Sequence, residues 1–177
     1  MSNDAASRKP AAFSKDTARF FVVLALFWSS LYLYVPVMAP FAQQRGASLQ
    51  AVGWLVSAYG LTQLLLRIPL GIWSDRLRAR RPFITYGFLA AVAGALGMAL
   101  VPYPAAMVFF RGLTGACASM WIMFTVLYAS RFPPRETSKA MGIAMMATSV
   151  TQLTATLTGG ILAEWGRWET PFLLAAG

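Results

Sequence analysis

The sequence predicts an all-α integral membrane protein, a polytopic helical bundle, and three observations carry that prediction. Of its 177 residues 58% are hydrophobic and only 12% charged, where soluble domains carry about 45–50% and about 25%. Five apolar runs, at 20–42, 52–73, 83–101, 105–130 and 140–163, have the length of about 20 residues that a helix needs to cross hydrocarbon. The basic residues fall almost entirely between these runs, which is the pattern of membrane topology rather than of a basic face for nucleic acid.

Each segment has its own justification. Residues 1–19 are polar, with Pro, Ser, Asn and Asp among them, and read as a cytoplasmic polar tail. The run 20–42 is too long for the apolar part of a signal peptide, and Pro40 and Phe41 spoil a cleavage site at Ala42, so it is a retained helix. Pro36 and Pro40 bend its end by removing backbone donors. The next three runs are joined by short connections, 43–51, 74–82 and 102–104, and the fifth follows 131–139. A sixth apolar run starts at Pro171 and the sequence stops at Gly177. Seven residues extend about 10 Å as helix, so the polypeptide is expected to end inside a span. Three spans followed by three permit an inverted repeat of the kind transporters use.

Charge sets the orientation. Eleven Lys and Arg residues flank the runs on the side of the amino terminus, against Arg45 and Arg167 on the other. The excess marks the cytoplasmic face, so the expectation is a multi-pass protein of the cell membrane with its amino terminus inside. The two remaining basic residues, Arg67 and Arg111, lie within spans.

The same composition argues against an enzyme. The chain has six acids and no histidine, and Asp4, Asp16, Asp75, Glu136, Glu164 and Glu169 all fall in tails, connections or span ends. A membrane enzyme needs a convergent set of acids, bases or metal ligands, and neither a metal site nor a cofactor is implied. Proton relays in carriers use intramembrane Asp, Glu or His, so proton coupling has no residue of that kind here. Cys117 stands alone and reads as a small buried hydrophobe.

Several faces are legible from spacing. On the fifth run Ile143, Met146, Val150, Leu153, Leu157 and Ile161 recur at three and four, one stripe of a helix suited to lipid. Thr148, Ser149, Thr151, Gln152, Thr154, Thr156 and Thr158 take the rest of the circumference and should turn inward, to pack on neighbours or line a wet cavity. On the second run Tyr59, Gln63 and Arg67 share one sector. Arg67 lies about 9 Å from the inner interface, so it either snorkels or joins a structural pair or cavity. Arg111, at a similar depth from the outer end, faces inward or snorkels outward. Gly87 with Ala91, Ala90 with Gly94, Gly112 with Ala116 and Gly115 with Ser119 are small-xxx-small pairs that let helices approach closely.

The connection after the second run reads Gly71-Ile-Trp-Ser-Asp75-Arg76-Leu-Arg78-Ala-Arg80-Arg81. It resembles the signature loop of the major facilitator superfamily, Gly-x-x-x-Asp-Arg-x-Gly-x-Arg/Lys, in Gly71, Asp75, Arg76 and Arg80, with Arg78 where the second glycine is usual. Arg111 and Gly115 are similar to the Arg-x-x-x-Gly motif of the family's fourth span. The resemblance covers 20–177 and implies the amino-terminal six-helix half of a twelve-span carrier, with the sixth helix incomplete. It implies alternating access, a small-molecule substrate between two halves, and a missing carboxyl-terminal half as partner beside the lipid bilayer. It also implies a gating role for the loop acid, against which a merely solvated Asp75 is the plainer reading. Tyr59, Gln63, Arg67 and Gln152 are the cavity-lining candidates. The competing reading is a truncated remnant or small helical membrane protein with no transport of its own.

Overall fold

A computed structural model describes residues 15–77, 81–101 and 103–177, and among these there are helices and turns but no strand. The helices are α1 (Lys15–Tyr32), α2 (Val35–Gln44), α3 (Leu49–Leu77), α4 (Arg81–Leu100), α5 (Pro104–Ser119), α6 (Trp121–Ala129), α7 (Pro134–Trp165) and α8 (Thr170–Ala176). Taking α1 with α2 and α5 with α6, five helical stretches are long and apolar enough to cross a membrane. The tail expected at 1–19 falls outside the described residues up to Ser14.

Helix ends follow from local chemistry. Gly46 has φ +83°, and the Ala47 N–H donates to the Ala42 carbonyl while Gly46 N–H donates to Gln43. These two bonds close α2 in the manner of a Schellman motif, which needs a left-handed residue. The Ser48 hydroxyl then accepts from Ala51 N–H at 3.2 Å and starts α3. Proline begins α5 and α7, where its missing N–H is no loss.

Arg45 has a role that its position in a connection did not reveal. Its guanidinium donates to the carbonyls of Val101 at 2.6 Å, Ala99 at 2.7 Å and Met98 at 3.2 Å. These are carbonyls at the end of α4 that lack helical partners. The same group lies 4.1 Å from the Phe41 ring centroid, so one side chain ties α2 to α4.

The bend expected from Pro36 and Pro40 lies at Leu33 and Tyr34, between α1 and α2. Pro36 sits at the start of α2 and Pro40 is accommodated inside it. A second break, between Ser119 and Trp121, has no proline or glycine. There the Ser119 hydroxyl donates to the Ala116 carbonyl at 2.6 Å, and Met120 N–H turns to Cys117 three residues back, the kind of back-bonding that bends a helix.

Packing follows the small residues. α5 lies between α3 and α4, α1 runs against α7, and α8 rests on α4. A Cβ on Gly115 would run into the Tyr59 carbonyl oxygen, and one on Gly159 into the Leu33 carbonyl oxygen. Glycine at these points is a condition of contact between α5 and α3 and between α7 and the α1–α2 junction. Two cores result. Phe20, Leu24, Phe27, Trp28, Trp121 and Phe124 fill one end, and Tyr34, Phe41, Leu55, Met98, Met107 and Phe172 fill the other.

The apolar stripe of α7 from Ile143 to Ile161 is exposed, as its spacing predicts. The hydroxyls depart from expectation. Thr148 is buried, but Ser149, Thr154 and Thr158 are exposed. Their hydroxyls donate to carbonyls one turn back on their own helix, at 3.2, 2.9 and 2.7 Å. A hydroxyl satisfied by its own backbone has no need to turn inward.

Candidate functional site

Arg111 is the focus of the interior. It lies seven residues into α5, about 10 Å along the helix axis, and retains only 6% of its exposure. Its guanidinium turns into the bundle rather than toward the end of its helix. Nη1 donates to the Tyr34 hydroxyl at 2.9 Å and makes a longer contact of 3.4 Å with Thr114 Oγ1. Thr114 in turn donates to the Arg111 carbonyl at 2.8 Å. Cζ stands 4.4 Å from the Tyr59 ring centroid and 5.5 Å from that of Tyr34. Both rings offer a negative π face to the cation.

The fold positions each partner. Tyr34 is fully buried at the break between α1 and α2, and its ring stacks on Phe172 of α8 at 4.9 Å. Tyr59 is brought to α5 by the close approach at Gly115, so the glycine of the Arg-x-x-x-Gly pair is what lets the arginine meet the tyrosine. Thr114 shares the Arg111 face because it is three residues on.

The charge is solvated only in part. Nε is buried without a hydrogen-bond partner, and no carboxylate among the described residues pairs with Arg111. A buried charge normally has a paired anion; among the described residues the partners of this one are aromatic faces and neutral hydroxyls.

Of the other sequence candidates, the structure brings Tyr59 to Arg111. Gln63 follows one turn along α3 and is half-buried, Arg67 is exposed another turn on, and Gln152 is half-buried on α7. Arg67 is therefore outside the cluster. Gly71, at the end of the second run, and Arg76, read as part of the connection 74–82, both lie within α3, which continues to Leu77. Gly71 does not end a helix, and a Cβ there would meet nothing. The Asp75 side chain and all of Arg80 lie outside the described residues. Tyr34 and Thr114 were not anticipated. The spacing of Thr114 from Arg111 was available as a signal, whereas Tyr34 depends on a bend whose place sequence does not define.

Among the described residues, five helices of membrane-spanning length and composition define a multi-pass helical membrane protein. The chain belongs to the Major Facilitator Superfamily, whose family model matches residues 20–177. Among curated relatives, an uncharacterized MFS-type transporter of Bacillus subtilis, YceJ, is 29% identical over 88% of this chain and 40% of its own length. The inner membrane transport protein YajR of Escherichia coli is 28% identical over 80% of this chain and 31% of its own. Multidrug resistance protein 2 of Bacillus subtilis is 30% identical over 81% and 36%. The chain thus spans about a third to two fifths of the length of these relatives.

Proposed function

We propose that this chain is the amino-terminal half of a secondary transporter that moves a small molecule by alternating access, acting as a carrier and not as an enzyme. The observation that supports the reading most is the buried Arg111, partnered by Tyr34, Tyr59 and Thr114 and, among the described residues, by no acid. On this reading an anion of the substrate or of the other six-helix half pairs with it during the cycle. Relatives named as transporters over the same segment agree with this. The Asp75 carboxylate is read as part of the gate at the end of α3, with Arg76 and Arg80 beside it in sequence.

The test is reconstitution. The complete carrier is expected to give saturable, substrate-selective uptake and the 177-residue segment alone none, since a site between two halves is unfinished with one. In the complete carrier Asp75→Asn should slow turnover several-fold and leave substrate affinity near normal, because α3 separates Asp75 from Tyr59 by sixteen residues, about 24 Å. Uptake by the monomeric segment would overturn the reading of an unfinished half, and normal turnover in Asp75→Asn would return that acid to solvent.

The orientation is read as a cell-membrane protein with its amino terminus on the cytoplasmic side, from the distribution of Lys and Arg. Single cysteines at Ser7 and Ser48 check it with an impermeant thiol reagent on intact cells. Ser48→Cys should label and Ser7→Cys should not; the opposite pattern reverses the topology.

A further inference from the structure

Arg67 stands without a partner at a depth where arginine is costly. It lies on α3 seven residues before Ser74, the last residue of the apolar span, about 10 Å of helix. Its side chain is exposed, and that of Gln63, one turn earlier, is half-buried. Among the described residues neither has a hydrogen-bond or ion-pair partner. A guanidinium and an amide both cost free energy in hydrocarbon unless water or an anion reaches them.

The faces of α3 separate lipid from this polar pair. Leu61, Leu65, Ile68 and Ile72 are exposed and recur at four, three and four, an apolar stripe suited to lipid. At about 100° per residue, Arg67 lies about 130° around the helix from the centre of that stripe and Gln63 about 170° from it. Tyr59 is on the same side as Gln63, with the Arg111 guanidinium 4.4 Å from its ring centroid. The strip beside Arg67 is bare. A Cβ on Gly60 or Gly71 would meet nothing within 4 Å, and both lie within about 40° of Arg67 around the helix.

We propose that Arg67, with Gln63, is a second anion position on the path to Arg111, taking the carboxylate or phosphate group of the transported solute as it passes along α3. The inference rests on the transport reading. Arg67 is eight residues beyond Tyr59, about 12 Å along the helix, so one such group occupies one position at a time. A guanidinium at each end contacts two oxygens at once, and the Gln63 amide supplies a donor between them. Conduction needs sites that are several and individually weak. A carboxylate of the other six-helix half has the same chemistry as the solute, but it would neutralise Arg67 permanently, and the two sources give different potentials at Gln63.

Thiol chemistry on the complete carrier in liposomes reads that potential. Gln63→Cys is offered two water-soluble methanethiosulfonates, one bearing a sulfonate and one a quaternary ammonium, while Cys117 is fully buried and stays silent. At one helical turn, about 6 Å, an unpaired guanidinium in water speeds the anionic reagent and slows the cationic one by about threefold each. Adding Arg67→Gln should therefore lower the ratio of the two rates about tenfold, and Arg67→Lys should keep it. Ile68→Cys, at the depth of Arg67 but on the apolar stripe, should react with neither reagent. Arg67→Gln should also raise KM several-fold for the anionic members of a substrate series. A ratio unmoved by Arg67→Gln assigns Arg67 to an acid of the other half and overturns the proposal. Gln63→Cys inert to both reagents, Ile68→Cys reacting as fast as Gln63→Cys, or an unchanged KM for anions overturns it too. Absence of uptake by the unaltered carrier counts against the transport reading alone, because the thiol rates do not depend on uptake.

Discussion

Gly159→Ala is expected to destabilise the bundle by about 3 kcal/mol, and Gly160→Ala, its neighbour, is expected to be neutral or stabilising. The two glycines sit on the same helix with the same chemistry. A Cβ at Gly160 meets nothing within 4 Å, but one at Gly159 meets the Leu33 carbonyl oxygen and then the backbone behind it. Alanine in a helix interior is favoured over glycine by up to about 1 kcal/mol, and at Gly160 that gain is realised. At Gly159 the added methyl must push α7 away from the α1–α2 junction, and overpacking of this kind costs about 1–3 kcal/mol, more where backbone cannot yield. Gly115→Ala extends the test to the other seam, where α3 moves off α5 and Tyr59 moves off Arg111. Unfolding of the purified protein by denaturant in detergent reads all three, and indistinguishable midpoints for Gly159→Ala and Gly160→Ala would sink the proposed contact.

These seams show which parts of the architecture sequence makes legible. Long apolar runs are a one-dimensional property, so the helices at 52–73 and 83–101 could be read directly; the first lies within α3 and the second overruns the end of α4 by one residue. The exposed stripe on α7 was equally readable, since spacing alone defines it. Gly115 was marked as a contact residue because small residues at four-residue spacing are visible in a string. What it touches was not, since the Tyr59 carbonyl is distant in sequence. Breaks were harder still. The one before Pro36 had a proline to announce it, whereas the break at Met120 goes with a hydroxyl donating three residues back, which no residue pattern in the sequence marks. Arg45 counted in sequence as one positive charge outside the membrane. Its work at the end of α4 depends on a chain fold that brings residues more than fifty apart together.

The same limit explains the partial legibility of the site. Depth in a span and the cost of facing lipid, about 2.5–3.5 kcal/mol for arginine at a helix centre, leave Arg111 the choice of turning inward or snorkelling. They gave no list of partners. Tyr59 was selected for sharing a sector with Gln63 and Arg67, yet Arg67 is exposed and Tyr59 alone of the three stacks on the guanidinium. A helical sector is about as wide as two neighbours, so residues one turn apart can meet different surroundings where the helices diverge.

In the complete carrier, Arg111→Gln should reduce transport to near zero, Arg111→Lys should retain a partial rate, and both should insert normally. The guanidinium supplies three separable things here: a fixed positive charge, a plane lying 4.4 Å from the Tyr59 centroid, and a donor at 2.9 Å to the Tyr34 hydroxyl. Lysine keeps the charge and some attraction to the ring but loses the planar fork. Glutamine loses charge and fork together. If the site receives an anion, charge is the dominant contribution and the two variants separate widely. Tyr34→Phe refines the result, because it removes the hydroxyl partner and keeps the ring that stacks on Phe172. Hydrogen bonds to charged groups contribute about 1.5–3 kcal/mol, and leaving Nη1 less satisfied should either sharpen the site's affinity for its anion or misplace the guanidinium. Initial uptake rates across a substrate series distinguish these outcomes, since sharper affinity lowers KM and misplacement lowers kcat. Equal, near-normal transport by Arg111→Lys and Arg111→Gln would show that the charge holds no anion during the cycle, and the cluster of Arg111, Tyr34, Tyr59 and Thr114 would then be a packing device joining α5 to α3 and to the α1–α2 junction.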